Sequence, residues 1–310
     1  MRLSRSGFRP GPALRTGLVL FLLHLGVAPC FSLSLEEMEV IAPRGTERGL
    51  LAPQGFVYDT YRGLFIVANT EAHRVDLLSR EGDSFKIMGR AGNLRRPRTV
   101  AAGKDSTLFV AMQDSEIIKV LSQYDSGVGE EFHDLNLSAY RQRAAVQAIA
   151  LDVDREGNLY VVDRGNRQVL VLDRQQRFRF ALADIGDPSD VAVGANTIYV
   201  ADPGFGGIRV YDGQGRRLRT LGADPGRFPT PLRAKALAVD RRERLWVLEE
   251  ANLGLKVFDT FGNLLLDYPF SQGGRLAFLS AVDLTLDADR FLYVLEQGTG
   301  LIRVFRINEF

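Results

Sequence analysis

Five acidic or amide residues recur at one position of an internal repeat, and side chains of this type bind cations and polar ligands. They are Asn69, Asp163, Asp202, Glu249 and Glu296, and Met112 takes the sixth position. If the repeats surround one axis, these side chains form a ring around one end of that axis. The alternative is architectural, because Asp and Asn in turns accept N–H bonds from nearby backbone. Recurrence at a fixed position of the repeat favours the architectural interpretation.

Residues for other kinds of catalysis are sparse. His73 and His133 are the only histidines after residue 32, and neither lies beside a Ser and Asp constellation. The chain contains no G-x-S-x-G nucleophile motif, and its only cysteine is Cys30. The glycine-rich stretch PGFGGI at 203–208 lies between predicted strands, so it is a turn and not a phosphate-binding loop. The sequence therefore favours a function other than catalysis.

The repeat itself predicts the elements that position these side chains. Its anchor positions, the five residues above and Met112, are separated by 43, 51, 39, 47 and 47 residues, a spacing typical of propeller blades. A valine stands two residues before every anchor, and these valines are Val67, Val110, Val161, Val200, Val247 and Val294. The residues on either side of each valine are apolar as well. Such a run fits a strand that is buried on both faces between two neighbouring sheets.

A further strand follows each anchor, because the residues six and eight positions later are apolar. Five of the six residues between them are charged, so this strand is expected to lie further from the solvent-excluded centre of the ring. The charged residues are Asp76, Lys119, Arg209, Lys256 and Arg303. Asp173, Asp212 and Asp259 begin turns that lead into another strand. With an apolar segment upstream of each valine, the unit has four strands.

Six such units predict an all-β fold, a six-bladed β-propeller of four-stranded antiparallel blades. The last repeat stops at its third strand, at LIRVFRINEF, whereas residues 33–42 form a spare strand before the first repeat. We expect this N-terminal strand to complete the last blade and close the ring, because an isolated strand would leave an exposed edge.

The phrase LYVVDRGNRQVLVLD and its relatives IYVADPGFGGIRVYD, LWVLEEANLGLKVFD and LFIVANTEAHRVDLL resemble the NHL repeat, which is named after an Asn-His-Leu triplet. The resemblance covers residues 33–310; Asn166 and His73 match the eponymous polar positions, and the triplet is intact nowhere. It implies a six-bladed propeller whose channel-side loops bind partners or substrates. The innermost strands would begin at Gln54, Arg98, Gln147, Asp190, Lys235 and Ser280. The predicted ligand or partner face therefore comprises the five polar anchors with Arg98, Asp190 and Lys235.

The resemblance also implies two enzymatic alternatives. Relatives that cleave peptidyl-hydroxyglycine hold zinc with several histidines, and two histidines cannot assemble that site. Gluconolactonase-like propellers gather carboxylates and amides around Ca²⁺ at the channel mouth. One acid, two amides and two cations at the strand starts do not resemble such a cage, although the nearby Asp283 keeps Ca²⁺ open. We therefore predict no cofactor, with a degenerate metal-dependent hydrolase or lyase as the alternative function.

The N-terminus predicts export. Residues 1–32 carry four arginines, an apolar stretch at 17–28 and then small residues, as secretory signals do. The whole chain has a net charge of +1, but residues 33–310 have a net charge of −3, which argues against nucleic acid. We expect a monomeric secreted or periplasmic protein whose partner is a protein or polysaccharide of the envelope. Membrane association is expected only if Cys30 is lipidated.

The longest spacing between anchors contains the segment 124–145. Its LSAYRQRAA part predicts either a short helix with Ser138 as N-cap or a long fourth strand followed by a loop. Extra loop length on a rigid scaffold is a common place for recognition, so this segment is a candidate contact region.

Overall fold

The computed structural model describes residues 33–44, 49–88, 94–125, 132–222, 231–250, 254–270, 280–287 and 290–309. The predicted signal segment 1–32, including Cys30, lies outside the described residues, as does part of the segment 124–145. Within the described ranges, no helix is long and apolar enough to span a membrane.

The strands form six four-stranded antiparallel sheets, each with its first strand on the central channel and its last at the rim. Strand β1 (Leu33–Ile41) precedes all of them. Blade 1 has β2 (Gly55–Asp59), β3 (Leu64–Asn69), β4 (Arg74–Ser79) and β5 (Ser84–Met88). Blade 2 has β6 (Pro97–Ala102), β7 (Leu108–Met112), β8 (Ile117–Leu121) and β9 (Phe132–Asn136). Blade 3 has β10 (Ala148–Val153), β11 (Leu159–Asp163), β12 (Gln168–Leu172) and β13 (Phe178–Leu182).

The remaining strands complete the ring. Blade 4 has β14 (Asp190–Val193), β15 (Thr197–Asp202), β16 (Gly207–Asp212) and β17 (Arg217–Leu221). Blade 5 has β18 (Ala234–Val239), β19 (Leu245–Glu249), β20 (Gly254–Phe258) and β21 (Leu264–Pro269). Blade 6 has β22 (Ala281–Leu286), β23 (Phe291–Glu296) and β24 (Ile302–Glu309), with β1 as its fourth strand. The predicted all-β six-bladed propeller is confirmed.

The N-terminal strand closes the ring as predicted. Strand β1 pairs antiparallel with β24, from Leu33 opposite Glu309 to Ile41 opposite Ile302. Ion pairs reinforce the seam, because Arg303 Nη1 lies 2.8 Å from Glu37 Oε1 and its Nε lies 2.8 Å from Glu296 Oε1. The two ends of the propeller sequence thus form one blade.

The hydrophobic core is divided among the interfaces between blades. Six clusters of buried apolar side chains each contain residues of two successive blades, and the one between blades 6 and 1 includes Ile41 of β1. In blade 3, Val161 faces blade 2, whereas its neighbours Tyr160 and Val162 face blade 4. This alternation explains why the residues around the repeated valine are apolar on both faces of the second strand.

The two ends of the channel are built differently. The anchor end carries the anchor positions and the starts of the innermost strands. The hairpin end carries the tight turns between first and second strands and between third and fourth strands. At three of these turns the predicted chemistry is confirmed: Oδ1 of Asp173, Asp212 and Asp259 accepts N–H bonds of 2.7–3.0 Å from the residues two and four positions later.

The described part of segment 124–145 combines both predicted alternatives. It forms the fourth strand β9 and then a 3₁₀ helix over Ser138–Tyr140. Ser138 is the first residue of this helix and not its N-cap; its N–H donates to Asn136 Oδ1 at 2.9 Å. The following loop is held by Asn166, whose Oδ1 accepts N–H bonds from residues 142, 143 and 144.

Candidate functional site

The innermost strands of all six blades surround a cavity of about 330 Å³ in the central channel. Its wall combines apolar side chains with polar ones, and the polar side chains of the innermost strands include Thr99, Asp152, Asp190, Asp283 and Thr285. The cavity extends to the hairpin end, where residues of the turns between first and second strands line its mouth. The cavity is the candidate site because it brings side chains of all six innermost strands together.

Asp190 and Asp283 occupy the same layer of the channel. Each lies opposite the residue that follows the repeated valine, since Asp190 pairs with Ala201 and Asp283 pairs with Leu295. Asp283 Oδ1 accepts the N–H of Leu284 at 2.8 Å. Oδ2 of Asp190 and Oδ2 of Asp283 each accept a hydrogen bond from the next blade, so both side chains link two innermost strands.

The links between blades are made to backbone N–H groups on the channel edge of the next innermost strand. Asp190 Oδ2 accepts from Leu237 of blade 5 at 2.6 Å. Asp283 Oδ2 accepts from Phe56 of blade 1 at 2.9 Å. These N–H groups face away from the second strand of their own blade, so no ladder bond competes for them. A side-chain oxygen therefore satisfies a donor that the sheet leaves open.

Asp152 repeats this arrangement two residues further along its strand, about 7 Å nearer the hairpin end at the usual rise per residue. Its Oδ1 accepts the N–H of Val153 at 2.7 Å, and its Oδ2 accepts that of Val193 in blade 4 at 2.8 Å. Thr285 adds a weaker link from blade 6 to Tyr58 of blade 1 at 3.2 Å. We call Asp152, Asp190 and Asp283 the channel clasps.

Each channel clasp joins its own blade to the following one: blade 3 to 4, blade 4 to 5, and blade 6 to 1. Among the described residues, no carboxylate of blade 1 makes such a link to blade 2, and the residue of blade 1 in the Asp190 layer is Gly55. A Cβ on Gly55 would lie 2.9 Å from the carbonyl oxygen of Arg98 and 3.0 Å from Thr99 Cα. The backbones of blades 1 and 2 are thus too close here for a side chain.

Burial raises the pKa of all three channel clasps. It raises the pKa of Asp152 to about 7, although two N–H bonds favour its ionised form. The pKa of Asp283 is raised by the same cause. The pKa of Asp190 is raised well above its ordinary value, by burial first and then by the negative charge of Asp283. The channel thus holds weak acids that can change protonation near neutral pH.

The mouth at the hairpin end is mixed in charge. Arg155, Arg241 and Asp287 line it together with Thr60 and Tyr61. Tyr61 is 69 % exposed, so its ring is open to solvent. A ligand that enters here passes basic and aromatic groups before it reaches the carboxylates.

The five polar anchors lie at the opposite, anchor end, and their side chains are at most 3 % exposed. Three of them, Asn69, Asp163 and Asp202, hold the segment that leads into the innermost strand of their own blade. Asn69 Oδ1 accepts the N–H of Leu51 at 2.8 Å, and Asp163 Oδ1 accepts that of Gln147 at 2.9 Å. Their predicted part in a ligand face stays a prediction.

Some anchors pair with the charged residue seven positions later. Asp202 Oδ2 lies 2.6 Å from Arg209 Nε, and Glu296 Oε1 lies 2.8 Å from Arg303 Nε. Glu249 is likewise buried at the end of β19. Three of the five charged residues on the third strands are buried: Asp76, Arg209 and Lys256. Asp76 and Arg209 are buried beside their anchors.

Arg98 and Lys235 also lie at the anchor end, apart from the channel clasps. Each is the extra residue of a β-bulge in its innermost strand, β6 or β18. Burial, and then the positive charge of Arg164, lower the pKa of Arg98. The predicted set of face residues is thus divided: Asp190 lies with the channel clasps, and the other seven lie towards the anchor end.

The two histidines lie in different blades. His73 Nδ1 accepts the N–H of Arg96 at 3.1 Å, and His133 contacts Gln176. Among the described residues, no group of three or more His, Cys, Asp or Glu side chains is arranged to hold a metal ion. The channel clasps lie in two layers, and both oxygens of each already accept N–H bonds, so they do not form an evident metal cage.

Sequence reasoning missed Asp152 and Thr285 and aligned Asp190 with Ser280. The correct counterpart of Asp190 is Asp283, because β22 contains a bulge between Ala281 and Asp283 and β14 contains none. The signal that was available is an Asp inside an apolar innermost strand, as in AIALDV, SDVAVG and AVDLTL.

Comparison with solved structures supports the fold. The chain is similar to selenomethionine-substituted virginiamycin B lyase from Staphylococcus aureus, with 10 % identity, a TM-score of 0.63, and coverage of 89 % of this chain and 99 % of that one. It is similar to a streptogramin B lyase, with 12 % identity, a TM-score of 0.59, and coverage of 90 % and 98 %. It is also similar to a protein of unknown function from Bacteroides thetaiotaomicron, with 12 % identity, a TM-score of 0.62, and coverage of 90 % and 76 %. No family model matches the chain, and no curated protein matches it.

Proposed function

We propose that this protein is an exported binding propeller of the NHL-repeat type that takes a small ammonium-bearing ligand into its central channel. The observation that carries the proposal is the cavity of about 330 Å³ with Asp152, Asp190 and Asp283 in its wall. This volume lies at the lower end of the range of small-molecule sites. Each ionised carboxylate has about four lone-pair positions, of which the backbone uses two. The remaining positions suit the N–H donors of an amine.

The wider setting of the proposal follows from the sequence. Removal of residues 1–32 as a signal would leave a monomeric propeller in the periplasm or outside the cell. The amine would belong to an envelope protein or polysaccharide, or be free. The loops at the anchor end, with Arg98 and Lys235, would form a separate contact surface for a larger partner. Nucleic acid is not a proposed partner, because residues 33–310 carry a net charge of −3.

The test is calorimetric titration of residues 33–310 with putrescine and spermidine, with sucrose as an uncharged comparison. We expect the amines to bind and sucrose not to bind. Binding should weaken as pH falls from 8 to 5.5, because protonation of carboxyls whose pKa lies near 7 removes their charge. Absence of amine binding at pH 8, or binding that strengthens at pH 5.5, would contradict the proposal.

A matched pair of variants assigns the binding to the channel. Asp190→Asn should weaken amine binding about tenfold or more, as expected for loss of a charge-assisted hydrogen bond of about 1.5–3 kcal/mol. Glu250→Gln is the control, since Glu250 is exposed and pairs with Arg233 at 3.2 Å. Thermal melting establishes that both variants are folded. Equal affinities for the two folded variants would place the amine outside the channel.

The second candidate is a metal-dependent hydrolase or lyase with a degenerate site. Two similar structures are named as lyases, which is the observation that favours it. The described residues do not assemble a metal cage, and we derive no catalytic step for this candidate. Elemental analysis and assays of lactone hydrolysis with added Ca²⁺ or Mg²⁺ test it. Metal-free protein with no metal-stimulated turnover would leave the binding function.

A further inference from the structure

The outer surface of blades 4 and 5 at the hairpin end exposes several large apolar side chains. Phe261, on the turn 259–263, is 80 % exposed, and Leu218 of β17 is 54 % exposed. Leu264 and Leu265 of β21 are 40 % and 42 % exposed. We call these four residues, with Arg216, Arg217 and Arg219, the rim patch.

The two blades that bear the rim patch are in direct contact beside it. Arg219 Nη2 donates to the carbonyl oxygen of Thr260, so the strand that bears Leu218 contacts the turn that bears Phe261. The turn also packs closely on β17, because a Cβ on Gly262 would lie 2.5 Å from Leu221 Cδ2. The turn of blade 5 that bears Phe261 therefore lies against strand β17 of blade 4.

Bulges in the outermost strands concentrate the exposed side chains. The register of β17 against β16 shifts at Leu218, and that of β21 against β20 shifts at Leu265. Each shift suspends the strict alternation of side chains between the two faces of the strand. Leu264 and Leu265 are consequently both exposed, although they are adjacent in sequence.

The rim patch is basic, in a chain whose residues 33–310 are acidic overall. Arg217 donates to Thr220 Oγ1 at 2.8 Å, and Arg219 donates to a backbone carbonyl. Neither arginine forms an ion pair with any of the carboxylates that the structure describes. Asp259 nearby is occupied by the N–H groups of its own turn, and Asp212 by those of its own turn and by Arg216.

We propose that the rim patch docks the propeller on an anionic lipid bilayer. Aromatic and aliphatic side chains that enter the headgroup region, flanked by arginines that meet lipid phosphates, are the composition of an interfacial membrane site. The patch is convex, since its apolar groups lie on a turn and a bulged strand. A deformable lipid surface can surround such a shape without a matching pocket. This route to the membrane does not need lipidation of Cys30.

The test is co-sedimentation of residues 33–310 with vesicles of phosphatidylcholine alone or mixed with phosphatidylglycerol. We expect binding only to the anionic vesicles, and expect it to weaken as salt rises. Phe261→Ser should lower the partition coefficient about tenfold, from the loss of a large apolar group at the interface. Arg217→Gln should lower it about fivefold, the value of one basic residue near an anionic surface.

Phe205→Ser is the matched control, because Phe205 is 59 % exposed but lies in a loop at the anchor end. It should leave vesicle binding unchanged. The proposal is overturned if the wild-type chain does not bind anionic vesicles at low salt, or if both phenylalanine variants lose binding equally. It is also overturned if sedimentation velocity shows a dimer that Phe261→Ser dissociates, since the patch would then join two copies.

Discussion

At the scale of single residues, the most informative side chain is Asp283. One carboxylate accepts the N–H of the next residue in its own blade and the N–H of Phe56 in the first blade. It therefore satisfies two backbone donors on the channel edge and joins the two ends of the ring. Its burial raises its pKa, so the same group that fixes the geometry is also sensitive to pH.

We expect Asp283→Asn to lower the free energy of unfolding by about 1–3 kcal/mol, because the amide can accept only one of the two N–H bonds and leaves the other donor without a partner. Urea denaturation measures the loss. Glu250→Gln is the control, since Glu250 and its partner Arg233 are both exposed. If both variants lose the same stability, the two N–H bonds to Asp283 contribute no more to the free energy of unfolding than an exposed ion pair does.

The channel clasps also predict a pH dependence of stability. A carboxyl whose pKa is raised in the folded state binds more protons there than in the unfolded state, so stability falls as pH rises from about 4 to about 7. For Asp152, with a pKa of about 7, the fall between pH 5.5 and pH 8 amounts to about 2 kcal/mol at most. Melting temperatures across this range measure it. Asp152→Asn should flatten the profile, and a profile that rises towards pH 8 would count against the assignment.

At the scale of elements, blades 1, 3, 4 and 6 combine an apolar sandwich with a polar connection between the second and third strands. In blade 4 the connection is the ion pair of Asp202 with Arg209, in which both side chains are nearly inaccessible to solvent. Asp202 also accepts the N–H groups of Gly186 and Asp187. One carboxylate thus holds the third strand and the segment that leads into the innermost strand.

We expect Arg209→Met to cost about 3–5 kcal/mol, because it leaves the Asp202 carboxylate buried without its cation. Arg233→Met breaks an exposed ion pair with Glu250 and should cost less than about 1 kcal/mol. Chemical denaturation of both variants compares the two pairs directly. Similar small losses would show that the buried pair adds little to the blade.

At the scale of the whole molecule, the ring is closed at two radii. At the rim, β1 pairs with β24 along its whole length. At the channel, Asp283 and Thr285 of blade 6 bind backbone N–H groups of blade 1. The outer closure joins the N-terminal strand to blade 6, and the inner closure joins blade 6 directly to blade 1.

A chain that begins at residue 43 lacks the outer closure and exposes the edge of β24. We expect it to melt at a lower temperature than residues 33–310 and to aggregate, because an unpaired strand edge recruits other chains. A synthetic peptide of residues 33–42, added in trans, should restore the melting temperature. A truncated chain that melts like the longer one would show that the inner closure is sufficient.

Most of the fold was predictable because its signals are local. The repeated valine, its apolar neighbours and the turns that begin with Asp predict the individual strands. The spacing of the anchors predicts that these strands form six blades around one axis. Even the closure by residues 33–42 followed from counting strands. These features need only the period of a strand and the chemistry of a turn.

The channel site was predicted only in part, because it depends on register. Asp152, Asp190 and Asp283 are far apart in sequence, and they meet only when bulges have set the height of each innermost strand in the channel. The bulge in β22 brings Asp283, and not Ser280, level with Asp190. The burial of charge on the third strands also depends on spatial neighbours, since Arg209 is buried beside Asp202 across the strand pair. The chain's periodicity determined the architecture, whereas only the folded ring decided which charges became neighbours, because electrostatic contacts follow distance in space.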